Sequence, residues 1–316
     1  MPAVAYFLEH DFTDEDAPEP SMIDVVSSAL YGAASGRRIQ NIEVVRRESI
    51  VADGAAIFMV DSDYVLFLSP EAYPDAASIQ RDAMVEMAQT LGDQLGRMIL
   101  PVIGTGHLQD RSFLILPRCV PLKPGRLGRL LQKPMVVSRI MPWLRALVLQ
   151  GMNNQPADRE FRASLDALIE IPELPNAMRD AARRSKEAID TGAIVVRHVP
   201  MHGDLWRNNV MRDDAGNLAI IDWAGSARDG YAIYDLVRFH QSFGMSQGRF
   251  AAELTWYCQT LEGVDAVIAH LLGGLGHYAN RLGEFPKQRF VAMATDCYNL
   301  LFTGLISAGH LTGGSR

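Results

Sequence analysis

One stretch narrows the possible folds more than any other: a His-Gly-Asp triplet at 202–204, an asparagine at 209, and the run IIDW at 220–223. The residues around it read as strands. VPMHGDL has the pattern of a strand running into a tight loop, and NLAIIDW that of a second strand. Between them VMRDDAG supplies one more short strand and a turn. Hairpin strands lying side by side would bring Asp204, Asn209 and Asp222 to one edge.

That trio suits phosphoryl transfer. A pair of oxygen ligands holds Mg²⁺, which keeps several waters and binds nucleotide phosphates. A separate carboxylate orients an attacking hydroxyl and accepts its proton. Asp204 is then the candidate base, and Asn209 with Asp222 the candidate metal pair. An isolated aspartate in a turn is commonly a cap or a solvated residue. The reading therefore rests on the combination of offsets.

The rest of the chain divides by character. Residues 1–20 are acidic and Pro-bearing, as in a tail, and SMIDVVSSALYGA reads as a helix opened by a Ser cap. NIEVVRRESIV, AAIFMV and DYVLFLS form three strand-like runs of an antiparallel meander, separated by ADG and DSD. In the next segment Ile79, Met84, Met87, Ala88 and Leu91 are spaced to share a helical face. MILPVIGTGHL and SFLILPRCVPL return to strand pattern. Beyond PLKPGRLG, long helical patterns dominate to the C-terminus. This predicts an α+β chain: a tail over 1–20, a strand-rich N-lobe over 21–120, and a mainly helical C-lobe over 121–316, with a hinge near 117–125.

Composition excludes several classes. A formal charge of −7 argues against a surface that tracks nucleic acid, which usually carries a basic face. Cys119, Cys258 and Cys297 are widely spaced and include no CxxC pair, so neither a disulfide framework nor a zinc site is expected. A reducing cytoplasm fits. The N-terminus lacks the basic-then-apolar order of a signal peptide, and no apolar run reaches the roughly 18 residues of a membrane span.

These residues resemble the aminoglycoside phosphotransferase and choline kinase family, which shares the protein-kinase-like bilobal fold. The likeness lies in its HGDxxxxN loop, here His202, Gly203, Asp204 and Asn209, and in its I-D-W motif, here Ile221, Asp222 and Trp223. A third element, DGYAIYDLVRF, is similar to the family's segment that braces the catalytic loop through an acid, here Asp235. The resemblance implies Mg²⁺ as cofactor, ATP or GTP as co-substrate, a small-molecule hydroxyl as acceptor, and a packing role for His202. HGDLW also resembles fructosamine kinases, which favours a sugar.

The pattern breaks in the N-lobe. The family places a lysine or arginine on the third strand to hold nucleotide phosphates, and here that position is Phe67. No lysine occurs before Lys123. Arg46 and Arg47, on the first strand, are the candidate replacements, because guanidinium grips phosphate bidentately. Asp82 and Glu86, on the following helix, are the candidate acids to pair with one of them. Gly54 alone stands where a glycine-rich loop belongs, and a lone glycine between strands is first a hairpin turn. Loss of the lysine also admits a pseudokinase that binds nucleotide without turnover. From residue 238 onward, six Lys/Arg face five Asp/Glu, so a neutral or anionic acceptor fits better than a polycation.

Overall fold

The computed structural model describes residues 20–31, 39–49, 54–123, 125–281 and 286–312. The expected acidic tail therefore lies outside the described residues, Pro20 apart. The chain forms two compact units. The first comprises Met1–Gln89, Gly96–Lys123 and Val210–Ala224. The second comprises Thr90–Leu95, Pro124–Asn209 and Gly225–Arg316. Residues 210–224, which follow the expected hinge in sequence, thus belong to the strand-rich unit.

In the first unit, β1 (Ile42–Arg46), β2 (Ala56–Val60) and β3 (Tyr64–Leu68) make the antiparallel meander that their β-branched and aromatic residues predict. β4 (Gly104–Leu108) and β5 (Arg111–Pro117) complete a five-stranded sheet in the order β1-β2-β3-β5-β4. One sheet face carries Val60, Leu66, Phe113 and Ile115, and Val26 and Leu30 of helix α1 (Pro20–Tyr31) join the same core. Leu66 and Leu68 are buried there, so strand alternation turns Phe67 to the other face.

Two details depart from expectation. On α2 (Ala76–Gly96), Met84, Met87 and Leu91 are buried, whereas Ile79 is 57% exposed. At 3.6 residues per turn Ile79 falls well off the stripe formed by the other three. The strand expected to span MILPVIGTGHL is limited to β4, because Pro101 interrupts it. Ile99 instead bridges Ile220 in parallel, and Met98 O accepts the Ile220 N–H at 2.8 Å.

A second, three-stranded sheet in this unit orders β6 (Val120–Pro121), β8 (Val210–Arg212) and β9 (Leu218–Ile220). The β8–β9 turn is tied by Asp213 Oδ1, which accepts the Asn217 N–H at 2.7 Å. At the opposite end of this hairpin Val210 stands against Ile220.

The second unit is helical. It includes α3 (Gly125–Gly151), which contains Pro134 and Pro142. Then follow α4 (Asp158–Ile169), α5 (Asn176–Asp190), β7 (Val199–Met201), β10 (Ala227–Gly230), α6 (Tyr234–Phe243), α7 (Gln247–Thr260), α8 (Val264–Ala279) and α9 (Lys287–Ser307). β7 pairs with β10, Met201 opposite Ala227. α8 lies close on α4, since a Cβ at Gly276 would stand 1.8 Å from Ser164 O. α9 departs from the expectation that no apolar run is long enough for a membrane: an 18-residue window within it averages a hydropathy of 1.3. Its Phe290, Ala294, Cys297, Leu301 and Leu305 are fully buried, and α6, α7 and α8 pack against it.

Candidate functional site

The site grows from the end of β7. Met201 is in the sheet, His202 is fully buried, and Gly203 takes a left-handed φ of +83°. A Cβ at Gly203 would stand 2.1 Å from Gly225 O. The central residue of the triplet is therefore glycine for two reasons, backbone sign and backbone contact.

Asp235, in the first turn of α6 and 3% exposed, anchors this bend. Its Oδ2 accepts the His202 N–H at 2.6 Å and its Oδ1 the Gly203 N–H at 3.0 Å. Burial pushes the Asp235 carboxyl up to about 7, with the two backbone donors pulling the other way. His202 Nδ1 accepts the Asp204 N–H at 3.2 Å. In the neutral ring that acceptor role places the proton on Nε2.

The chain then closes on itself. Asp204 O accepts the Trp206 N–H at 2.9 Å, and a single 3-10 turn covers Arg207–Asn209. Asn209 Nδ2 donates to Asp204 O at 3.0 Å and to Asp204 Oδ2 at 3.3 Å. This orients the amide, so its Oδ1 is left as the acceptor end. Asp204 and Asn209 are thus brought together, with the Asp204 carboxylate 36% exposed.

α6 holds the loop at two further points. Arg238 Nη2 donates to Asp204 Oδ1 at 3.1 Å, and the Arg207 N–H donates to Ser242 Oγ at 3.0 Å. Sequence reasoning missed both Arg238 and Ser242. A signal was present, because Arg238 lies three residues after Asp235, and helix geometry puts i and i+3 on one face.

Asp222 lies in the first unit, two residues past β9, with φ +65°. A non-glycine residue held there is strained, and such strain gathers at functional positions. Trp223 beside it is fully buried and donates Nε1–H to Ile220 O at 2.8 Å. Among the described residues no three His, Cys, Asp or Glu side chains gather as a metal cluster. Asn209, in the second unit, and Asp222, in the first, each carry a hard oxygen donor of the type Mg²⁺ takes in preference to zinc.

The candidate N-lobe residues lie in the first unit. Arg46 donates from Nε and Nη2 to Ala55 O at 3.1 and 2.8 Å. Arg47 and Glu86 are exposed, and Asp82, 68% exposed, pairs with the adjacent Arg81 at 2.6 Å. Gly54 O accepts the Ser49 N–H at 2.8 Å, closing a loop between β1 and β2. Half-buried Arg111 in this unit donates from Nε to Ser69 O at 2.6 Å and pairs through Nη2 with Glu48. Burial raises the Cys119, Cys258 and Cys297 thiols to about 11, so none is poised as a nucleophile.

Residues 193–267, which include the triplet, Asn209, Asp222 and Asp235, match the phosphotransferase enzyme family. The chain has the kinase-like fold of aminoglycoside phosphotransferases and choline kinases. Among solved structures it is similar to the GDP complex of aminoglycoside 2'-phosphotransferase-IIIa, with a TM-score of 0.51 and 13% identity over 92% of this chain and 99% of that one. Aminoglycoside phosphotransferase APH(4)-Ia gives 0.51 and 14% identity over 89% and 99%. Choline kinase LicA from Streptococcus pneumoniae gives 0.50 and 12% over 90% and 99%. The strand-rich N-terminal part and helical C-terminal part agree with the α+β expectation. No curated protein sequence matches the chain.

Proposed function

We propose that this protein is a phosphotransferase that moves the γ-phosphoryl group of ATP or GTP to a hydroxyl of a small molecule. The observation that carries the reading is the partly exposed Asp204 carboxylate, held by Asn209 and Arg238 on a loop that the buried Asp235 ties down. Asp204 accepts the proton of the acceptor hydroxyl. His202 and Asp235 keep that loop in shape. Asn209 and Asp222 are the residues that would hold Mg²⁺, and the bound ion offsets charge on the phosphates. Arg46 or Arg47, braced by Asp82 or Glu86, stands in for the cation absent at Phe67. The GDP named in a similar structure supports a nucleotide co-substrate, and the aminoglycoside and choline enzymes support a small acceptor. A cytoplasmic setting suits the three free thiols.

Phe67 favours a second reading, a nucleotide-binding module without turnover. Thermal unfolding with Mg²⁺ and ATP or GTP, followed by product mass with acceptor hydroxyls, separates the two. Ligand at about 100 times its Kd stabilises by roughly 2.7 kcal/mol. The shift is expected in the native protein and lost in Asp222→Ala. A shift without any transferred phosphoryl group selects the second reading, a product carrying AMP points to transfer of a different part of the nucleotide, and no shift defeats both.

A further inference from the structure

We infer that His270 is a positioning residue: its Nδ1 holds the Ala232 N–H and so places Asp235, the brace of the loop that carries Asp204. The inference rests on the phosphotransferase reading of that loop and gives the loop a support on α8.

The buried stretch of α8 from Ala266 to Gly276 is apolar apart from His270, which is 1% exposed. A polar ring in such surroundings is costly unless it is hydrogen-bonded. Its Nδ1 accepts the Ala232 N–H at 3.1 Å, and Phe161 of α4 meets the ring edge-on with centroids 4.9 Å apart. Acceptance at Nδ1 requires the neutral ring with its proton on Nε2. Burial keeps the ring neutral, holding it down to about 3, and His198 is the titratable neighbour that acts in the same direction.

Ala232 belongs to the three-residue segment between β10 and α6, and it is itself buried, so its N–H must find a partner within the protein. The flanks of the segment also rest on α8. A Cβ at Gly273 would stand 2.5 Å from the Tyr231 ring, and one at Gly274 would stand 2.9 Å from Tyr234 Cβ. Tyr231 is tied to α4 as well, its hydroxyl 2.6 Å from Ser164 Oγ. Ring contacts of this kind are non-directional, whereas the bond to His270 fixes where the backbone N–H of the segment points. Asp235 follows Ala232 by three residues and stands second in α6, so a shift at Ala232 is carried to it by backbone that is already helical from Tyr234. Little shift is tolerated there. The Asp235 carboxylate meets two backbone donors at once, in a bend where Gly203 leaves no room for a Cβ.

Two variants separate the acceptor from the ring. His270→Phe keeps a ring against Phe161 and removes the acceptor, whereas His270→Asn removes the ring and keeps an acceptor oxygen near the place of Nδ1. His270→Phe should lower kcat by roughly 10- to 100-fold, the scale of an ångström-sized misplacement, with little change in the KM of the nucleotide. His270→Asn should retain most of the native kcat. Amide hydrogen exchange, read without nucleotide or acceptor, should be about 10-fold faster at His202 and Gly203 in His270→Phe, with α5 amides unchanged, and near the native rate in His270→Asn. In the native protein at neutral pH, imidazole nitrogen shifts should show the His270 proton on Nε2. A kcat that follows the ring instead of the acceptor, unchanged exchange at His202 and Gly203 in His270→Phe, or a proton on Nδ1 in the native protein would each overturn the inference. The last measurement needs no variant and serves if His270→Phe fails to fold. A native protein that transfers no phosphoryl group would defeat the phosphotransferase reading alone, because exchange and nitrogen shifts are read without turnover.

Discussion

Two charged regions of this protein supply candidate site residues in sequence and differ sharply in structure. In the loop at 202–209, backbone donors and side chains meet buried partners, down to the 3%-exposed Asp235. On the sheet and helix of the first unit, Arg46 rests on a carbonyl and Asp82 pairs with its own neighbour at 68% exposure. The lesson concerns burial. A polar group removed from water is held to one geometry by the cost of losing its partner, whereas an exposed ion pair is worth well under about 1 kcal/mol and fixes little.

The sharpest way to break this contrast is at the loop. Asp204→Ala should lower turnover by about 10³-fold, the usual scale for a general base, with nucleotide binding retained. Turnover near the native level in product-mass assays would remove Asp204 from that role. Next in size is Gly203→Ala, where the added Cβ meets Gly225 O and the backbone sign is wrong. Together these should cost about 3 kcal/mol in urea unfolding. A change under about 0.5 kcal/mol, the range of ordinary surface substitutions, would show that the bend is not as tight as its contacts indicate.

A smaller effect is expected from pH. Burial holds His270 down to about 3 and His277 to about 4, and His270 Nδ1 accepts the Ala232 N–H at 3.1 Å, which the neutral ring can do. The folded protein then binds fewer protons than the unfolded chain below the ordinary histidine value of 6.5. Stability should be full above that pH and fall progressively toward 4. Asp235 has the opposite sign: raised to about 7, it contributes stability that is present below the ordinary carboxylate value of 3.8 and fades as pH rises through 7. Urea midpoints across this range check both, and His270→Gln should flatten the acid limb. An acid limb unchanged in that variant would assign the loss elsewhere.

The smallest effect belongs to the other region. Asp82→Ala should change stability by less than about 0.5 kcal/mol. Its effect on Mg²⁺-nucleotide affinity carries the information. A tenfold loss by calorimetry would make Asp82 a brace for a phosphate-binding cation after all, and no loss would leave it a surface charge.

By itself the sequence determined the meander of β1–β3, the change to helices beyond PLKPGRLG, and the loop bearing Asp204 and Asn209. Each is written in local terms: period-two alternation, helical spacing, or a glycine that alone fits a left-handed bend. Tertiary structure decided which charges matter. Arg238 reaches Asp204 across 34 residues of chain, and Asp235 reaches His202 across 33. It also decided that residues 210–224 join the strand-rich unit and that apolar α9 packs among helices. The physical reason is shared. Whether a charged or apolar side chain is paired, buried or merely solvated depends on what folding brings over it, and spacing along one chain does not carry that information.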